Sequence, residues 1–189
     1  MKILRSWVVG VAVVAGVASA PFRNGAGAQA RPAVTSPCVA DSNYQRLAFW
    51  VGDWAVYDST GKRYATQRVR PVVDACAFTA DWTGSAGDKG LNLSALDAKS
   101  GEWRQVYVSN QVPYPSGVPL RKSDPSYRGP GIRFIPLFEP LDGNQARSRI
   151  TIMPSSDGVM ELFEASRDAG NTWRTVFKAV HRALSSVGP

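Results

Sequence analysis

The chain is punctuated by turns. From residue 50 onward, clusters of Gly, Asp, Asn, Ser and Pro recur at Asp58 to Gly61, Gly84 to Gly90, Asp97 to Gly101, Pro113 to Gly117, Asp142 to Asn144, Ser156 to Gly158 and Asp168 to Asn171. Between them lie short runs rich in Val, Ile, Thr and aromatic residues, the pattern of an antiparallel meander. Strands are expected near 50–57, 62–70, 73–83, 90–97, 102–109, 131–138, 146–153, 159–166 and 172–182, with a tenth between 116 and 122. Ahead of them, Ser42-Asn43-Tyr44-Gln45 has the form of a capping box, and Tyr44, Leu47 and Ala48 follow at helical spacing, so one short N-terminal helix is expected.

Alternation assigns faces to these strands. In the last one, Trp173, Thr175, Phe177, Ala179 and His181 fall on one side and are expected to point inward. The same rule groups Cys76, Phe78, Ala80 and Trp82; Leu91, Leu93 and Ala95; Trp103, Gln105 and Tyr107; and Val159, Glu161, Phe163 and Ala165. Nine or ten hairpin-linked strands must bury one face, and closure into a barrel removes the edges that an open meander would leave unpaired. The fold class is therefore all-β, a meander closed into a barrel, with a two-sheet sandwich as the alternative.

The N-terminus has another purpose. Lys2 and Arg5 precede an apolar run from Trp7 to Ala20, which reads as an export signal. That run is shorter than the roughly 20 residues needed to span a bilayer, so no permanent membrane anchor is expected. Cleavage could follow Ala20 or Ala30; Pro21 obstructs the first, which favours the second. The expected organisation is a signal peptide over 1–30, a disordered linker over 31–37, the barrel over 38–183 and a tail over 184–189, in the periplasm or outside the cell. The full chain carries a net charge of +7, from 22 basic and 15 acidic residues. Removing residues 1–30 takes Lys2, Arg5 and Arg23 and no acid, leaving 19 minus 15, or +4. A mild charge with no run of like sign argues against a nucleic-acid partner. Cys38 and Cys76 are the two cysteines, and an exported chain favours a disulfide between them over free thiols.

"FWVGDWAVYD", Phe49 to Asp58, carries Gly52-Asp53-Trp54 after the expected helix, and this resembles the G-x-W signature of lipocalins and calycins. The resemblance implies a barrel whose Trp54 closes the floor, with an arginine of the last strand, Arg174 or Arg182, over its ring. The chain is more broadly similar to secreted bacterial proteins of lipocalin-like shape that carry no agreed activity. The shared features are Cys38 ahead of F-W-x-G-x-W, Cys76 and Trp82 on a later strand, "DAKSGEWRQVYV", and the closing S-x-D-x-G-x-T-W formed by Ser166, Asp168, Gly170, Thr172 and Trp173. That last motif also resembles the Asp-box of sialidases, where it is structural and lies apart from the catalytic arginines, so it is read here as a locked turn with Trp173 packed inward. Haem-binding barrels of the nitrobindin kind use a lone histidine and G-x-W-x-G-x-G; here Ala55 to Asp58 lacks both later glycines, and His181 is read as a packed or rim histidine.

No G-x-S-x-G elbow, H-E-x-x-H, Walker loop or G-x-G-x-x-G after a strand is present. The leading expectation is a binding module, monomeric or weakly self-associating, without cofactor or metal, that holds a small, mostly apolar molecule. The residues expected to line it are Trp82, Trp103, Gln105, Tyr107, Glu161, Phe163, Trp173 and His181. Glu161 is the group whose register is open, since Met160, Leu162 and Glu164 opposite it are mixed. Two other classes compete: a barrel enzyme of isomerase or cyclase type using Glu161 or His181, and an interaction protein whose barrel is filled by its own side chains. Arg68 with Arg70 and Arg147 with Arg149 share strand sides; facing out they are a solvated surface, and facing in they would favour an anionic ligand such as a fatty acid.

Overall fold

A computed structural model describes residues 36–111, 119–137 and 146–184. The expected signal peptide, nearly all of the linker, the turns at 113–117 and 142–144 and the last five residues lie outside the described residues. Ten strands follow one another as β1 (Gly52–Tyr57), β2 (Arg63–Val72), β3 (Ala77–Gly84), β4 (Lys89–Asp97), β5 (Glu102–Ser109), β6 (Leu120–Ser123), β7 (Ile132–Pro136), β8 (Arg147–Ser155), β9 (Gly158–Ser166) and β10 (Arg174–Ala183). Each pairs antiparallel with its sequence neighbours, and β10 pairs with β1 from Trp54 opposite Ala183 to Tyr57 opposite Val180, so the sheet closes into a barrel. Closure satisfies both edges at once and rules out the sandwich.

Two short helices precede the sheet, α1 (Pro37–Ala40) and a 3-10 helix over Tyr44–Trp50. The capping box does not form. Asn43 stands at the N-cap without a side-chain bond, and Gln45 Nε2 instead donates to the Cys38 carbonyl at 2.7 Å. The helix seals one end of the barrel with Leu47 and Trp50, both fully buried, which join Trp54, Val56, Val69, Phe78, Trp103, Ile132, Phe134, Ile152 and Val159 in one apolar cluster. Gly52 is required for this floor, because the indole of Trp54 folds back over it: a Cβ there would lie 2.9 Å from Trp54 Cε2. Trp54 Nε1 donates to the Trp50 carbonyl at 2.9 Å and so ties helix to first strand.

The disulfide joins Cys38 to Cys76, with Cα atoms 4.9 Å apart. β3 begins at Ala77 rather than at residue 73 because Val73, Asp74 and Ala75 take φ values of 51°, 52° and 66°. That left-handed run swings Cys76 towards α1, where Ser36 Oγ donates to the Asp74 carbonyl at 3.0 Å. Cys76 therefore belongs to the turn and not to the inward face of β3.

Four other expectations change. In β4 the register Ala80 to Asn92 and Phe78 to Ser94 turns Asn92 and Ser94 inward, so Leu91, Leu93 and Ala95 face out, with Leu91 and Leu93 exposed. In β10 a bulge between Thr175 and Phe177 breaks strict alternation: Phe177, Ala179 and His181 oppose Phe163, Glu161 and Val159, whereas Thr175 opposes outward Glu164. Trp173, beyond that bulge, packs on the outer side beneath Arg149, whose guanidinium lies 3.9 Å from its ring centre. No arginine covers Trp54 among the described contacts; Arg182 lies 4.8 Å over Tyr57 instead and pairs with Asp157 at 3.2 Å. Three of the paired arginines lie on the outer side, Arg68 and Arg70 in contact with water and Arg149 largely covered. Arg68 and Arg70 clasp Asp53, and Arg149 makes a two-pronged pair with Glu164 at 2.7 and 3.1 Å.

Candidate functional site

Above the apolar floor the barrel encloses a cavity of about 270 Å³. Alternation puts one or two residues from eight of the ten strands into it: Gln67 from β2, Trp82 from β3, Asn92 from β4, Gln105 and Tyr107 from β5, Arg121 from β6, Ile150 and Ile152 from β8, Glu161 and Phe163 from β9, and Phe177 from β10. Of the residues expected at the site, Trp82, Gln105, Tyr107, Glu161 and Phe163 are on this wall. Trp103 is fully buried but sits lower, in the floor against Phe78 with ring centres 5.9 Å apart, and its Nε1 donates to the Asn43 carbonyl at 3.3 Å. It thus serves the helix rather than the cavity, and Trp173 lies outside altogether.

The aromatic side of the cavity is held in place. Trp82 Nε1 donates to Asp88 Oδ2 at 2.9 Å, which fixes the indole from the β3–β4 turn. Tyr64 lies 5.4 Å from Trp82 and 5.7 Å edge-on from Phe177, so three rings form a continuous panel, within the range in which aromatic pairs attract. Two strands along the wall, Tyr107 needs the glycine opposite Trp82: a Cβ on Gly90 would come within 2.4 Å of its hydroxyl.

The polar side is a set of neutral and charged groups taken out of water. Gln105 Nε2 donates to Ser94 Oγ at 3.3 Å, and Arg121 Nη1 donates to Gln105 Oε1 at 3.4 Å. Glu161 is partly buried, its side chain 20% exposed, and desolvation pushes its carboxyl above the usual range, opposed by the positive charge of Arg121. His181 is fully buried beside it, Nε2 standing 3.7 Å from Glu161 Oε2, too far for a hydrogen bond. Burial lowers the imidazole to about 4, so it is neutral at pH 7, and both of its nitrogens lack a hydrogen-bond partner among the described residues. This arrangement can hold or move a proton at Glu161, and it can present hydrogen-bond acceptors to a guest. Among the described residues no group of three or more His, Cys, Asp or Glu could hold a metal ion.

Sequence reasoning missed Gln67, Asn92, Arg121, Ile150 and Ile152. Phe177 sits on the face expected for it but was not singled out. Gln67 carried no signal, being flanked by residues of equal polarity, and Asn92 was hidden by the leucines on either side.

The closing motif is a locked turn set apart from the cavity. Ser166 Oγ accepts from the Gly170 N–H at 2.9 Å, and Asp168 accepts from the Thr172 N–H at 2.9 Å and from the Thr172 hydroxyl at 2.6 Å. Trp173 Nε1 donates to the Gly170 carbonyl at 2.9 Å. The Thr172 hydroxyl first, then the Thr172 N–H and the Ser166 hydroxyl, which donates to Asp168 Oδ1 at 2.7 Å, depress Asp168 to about 2. A carboxyl lowered on folding contributes stability above its unfolded pKa and loses it as pH falls towards the folded value, here from about 4 down to about 2. An acid titration followed by tryptophan fluorescence should show this turn loosening in that window, and Asp168→Asn should remove the transition. A wild-type signal flat through the same window would contradict the assignment.

No model of a known protein family matches the chain, and no curated protein is significantly similar to it.

Proposed function

We propose that this protein is an exported, lipocalin-like carrier that holds a small, mostly apolar molecule inside its barrel. One observation carries the reading: a cavity of about 270 Å³ inside the barrel, walled by Trp82, Tyr107, Ile150, Ile152, Phe163 and Phe177, with Gln67, Asn92, Gln105, Arg121 and Glu161 as its polar groups. Sites for small molecules take this form, near the lower end of the usual size range. Export is supported by the Cys38–Cys76 disulfide, a bond that persists in oxidising compartments, and by the charged head and apolar run of residues 1–20. No helix of the described residues is long and apolar enough to cross a membrane. The carrier acts as a monomer or a weakly associated oligomer, without nucleic acid or cofactor, and its mature chain begins at Arg31.

Native mass spectrometry of protein purified from its own host tests the whole reading. The expected spectrum shows a chain starting at Arg31 together with an added mass that is lost on denaturation. The bare chain alone, with no binding from a panel of lipids and pigments, would overturn the carrier.

Glu161 supports a second reading, an isomerase or cyclase in which its carboxyl transfers a proton. The motive is a carboxyl raised by burial on the cavity wall, with His181 close behind it. Turnover in a metabolite extract that is lost in Glu161→Gln, with ligand binding retained, would favour the enzyme over the carrier.

A further inference from the structure

The cavity contains acceptors that the protein leaves unanswered. Gln67 is almost wholly buried, and its Oε1 has no hydrogen-bond partner among the described residues; the same is true of Asn92 Oδ1. Both residues line the cavity, on strands to either side of β3, where Gln67 opposes Trp82 and Asn92 opposes Ala80. Buried carbonyl oxygens of this kind are normally paired; both are closed to water as they stand, and a guest that brings donors would complete them as the two amides turn towards it.

The charges in the cavity narrow the guest further. Arg121 and Glu161 both line it, one of each sign, and Arg121 is already engaged with Gln105. A carboxylate guest would gain Arg121 but would face Glu161 and two amide oxygens; an ammonium guest would meet the reverse. Of the arginines that would have favoured a fatty acid, Arg68, Arg70 and Arg149 are engaged on the outer side by Asp53 and Glu164. The aromatic panel restricts shape as well, since Tyr64, Trp82 and Phe177 are locked against one another and the indole N–H is committed to Asp88. What that wall offers is ring faces and edges, which suit a flat ring better than a flexible chain.

We propose that the cavity selects an uncharged ring compound bearing hydroxyl or N–H donors, which meet Gln67 Oε1 and Asn92 Oδ1 while the ring lies against Trp82, Tyr107 and Phe177. This rests on the carrier reading and gives its ligand a chemistry. Hydroxylated aromatics and N–H heterocycles share that chemistry and differ only in which atom supplies the donor.

Matched probes separate the possibilities. Purified mature protein is titrated, by calorimetry and by quenching of tryptophan fluorescence, with naphthol and methoxynaphthalene, indole and N-methylindole, naphthoate and dodecanoate. Within at least one of the first two pairs, the donor-bearing compound should bind about tenfold more tightly than its methylated twin, the size expected from one net hydrogen bond. Preference in the first pair marks a hydroxyl donor and in the second an N–H donor. Asn92→Leu and Gln67→Leu, each checked for unchanged thermal unfolding, should abolish that preference while leaving the methylated twin's affinity intact; if one variant fails to fold, the other alone decides. Equal binding of the twins in both pairs, or strongest binding by naphthoate or dodecanoate, overturns the donor requirement but leaves the carrier standing. Binding by no probe overturns both.

Discussion

Trp103→Ala should cost the barrel about 3–5 kcal/mol, the usual range for deleting a buried indole. For a domain of this size that corresponds to a fall in Tm on the order of 10 °C. The expectation comes from three roles that meet at one residue. The indole is fully buried against Phe78, its Nε1 holds the Asn43 carbonyl at the start of the 3-10 helix, and its backbone N–H donates to the buried Ser123 hydroxyl at 3.0 Å. Trp103→Phe keeps most of the packing and loses only the bond to Asn43, so its loss should be clearly smaller. Chemical denaturation of the three proteins measures the difference. A Tm for Trp103→Ala within a degree or two of wild type would mean that the helix does not close the floor as described.

Replacing both cysteines by serine should have an effect of similar size. The bridge closes a loop between residues 38 positions apart, for which chain-entropy arguments give on the order of 3 to 4 kcal/mol. Because the bridge fixes α1 to the β2–β3 turn, its loss should also make the segment before β1 the first site of proteolysis, ahead of any strand. Denaturation with and without reductant, alongside timed protease digestion, reads both effects. Stability unchanged by reduction would show that the helices are held by packing alone.

Much of this architecture is legible in the sequence because turn chemistry is local. Asp58-Ser59-Thr60-Gly61 and Asp97 to Gly101 each use an aspartate that caps the N–H two residues on, at 2.8 Å to Thr60 and 3.1 Å to Lys99, and such turns separate strands whatever the tertiary context. The short strand β6 could be expected only as an option, since its four residues carry little pattern of their own. Faces are harder to read than strands. The alternation rule assumes that the interior is the apolar side, and at the height of the cavity this barrel inverts it: Gln67, Asn92 and Gln105 point in, while Leu91, Leu93 and Val108 point out. The Trp173 error has a different source, since one extra residue at the bulge before Phe177 reverses every face on its N-terminal side, and no residue type announces it. The expectations that failed at the site therefore mark where the interior turns polar, which is also where a ligand would be recognised.

The route by which the ring closes has a consequence for how the chain is made. Nine of the ten strand pairings join neighbours in sequence, whereas Trp54 meets Ala183 across 129 positions (183 minus 54). Hairpins can assemble as the polypeptide emerges, but the first strand stays without its second partner until the last has been synthesised. Over that interval both rims of the growing sheet are available to other nascent copies, so the seam between first and last strands is where misassembly should begin and where a chaperone would have most to shield.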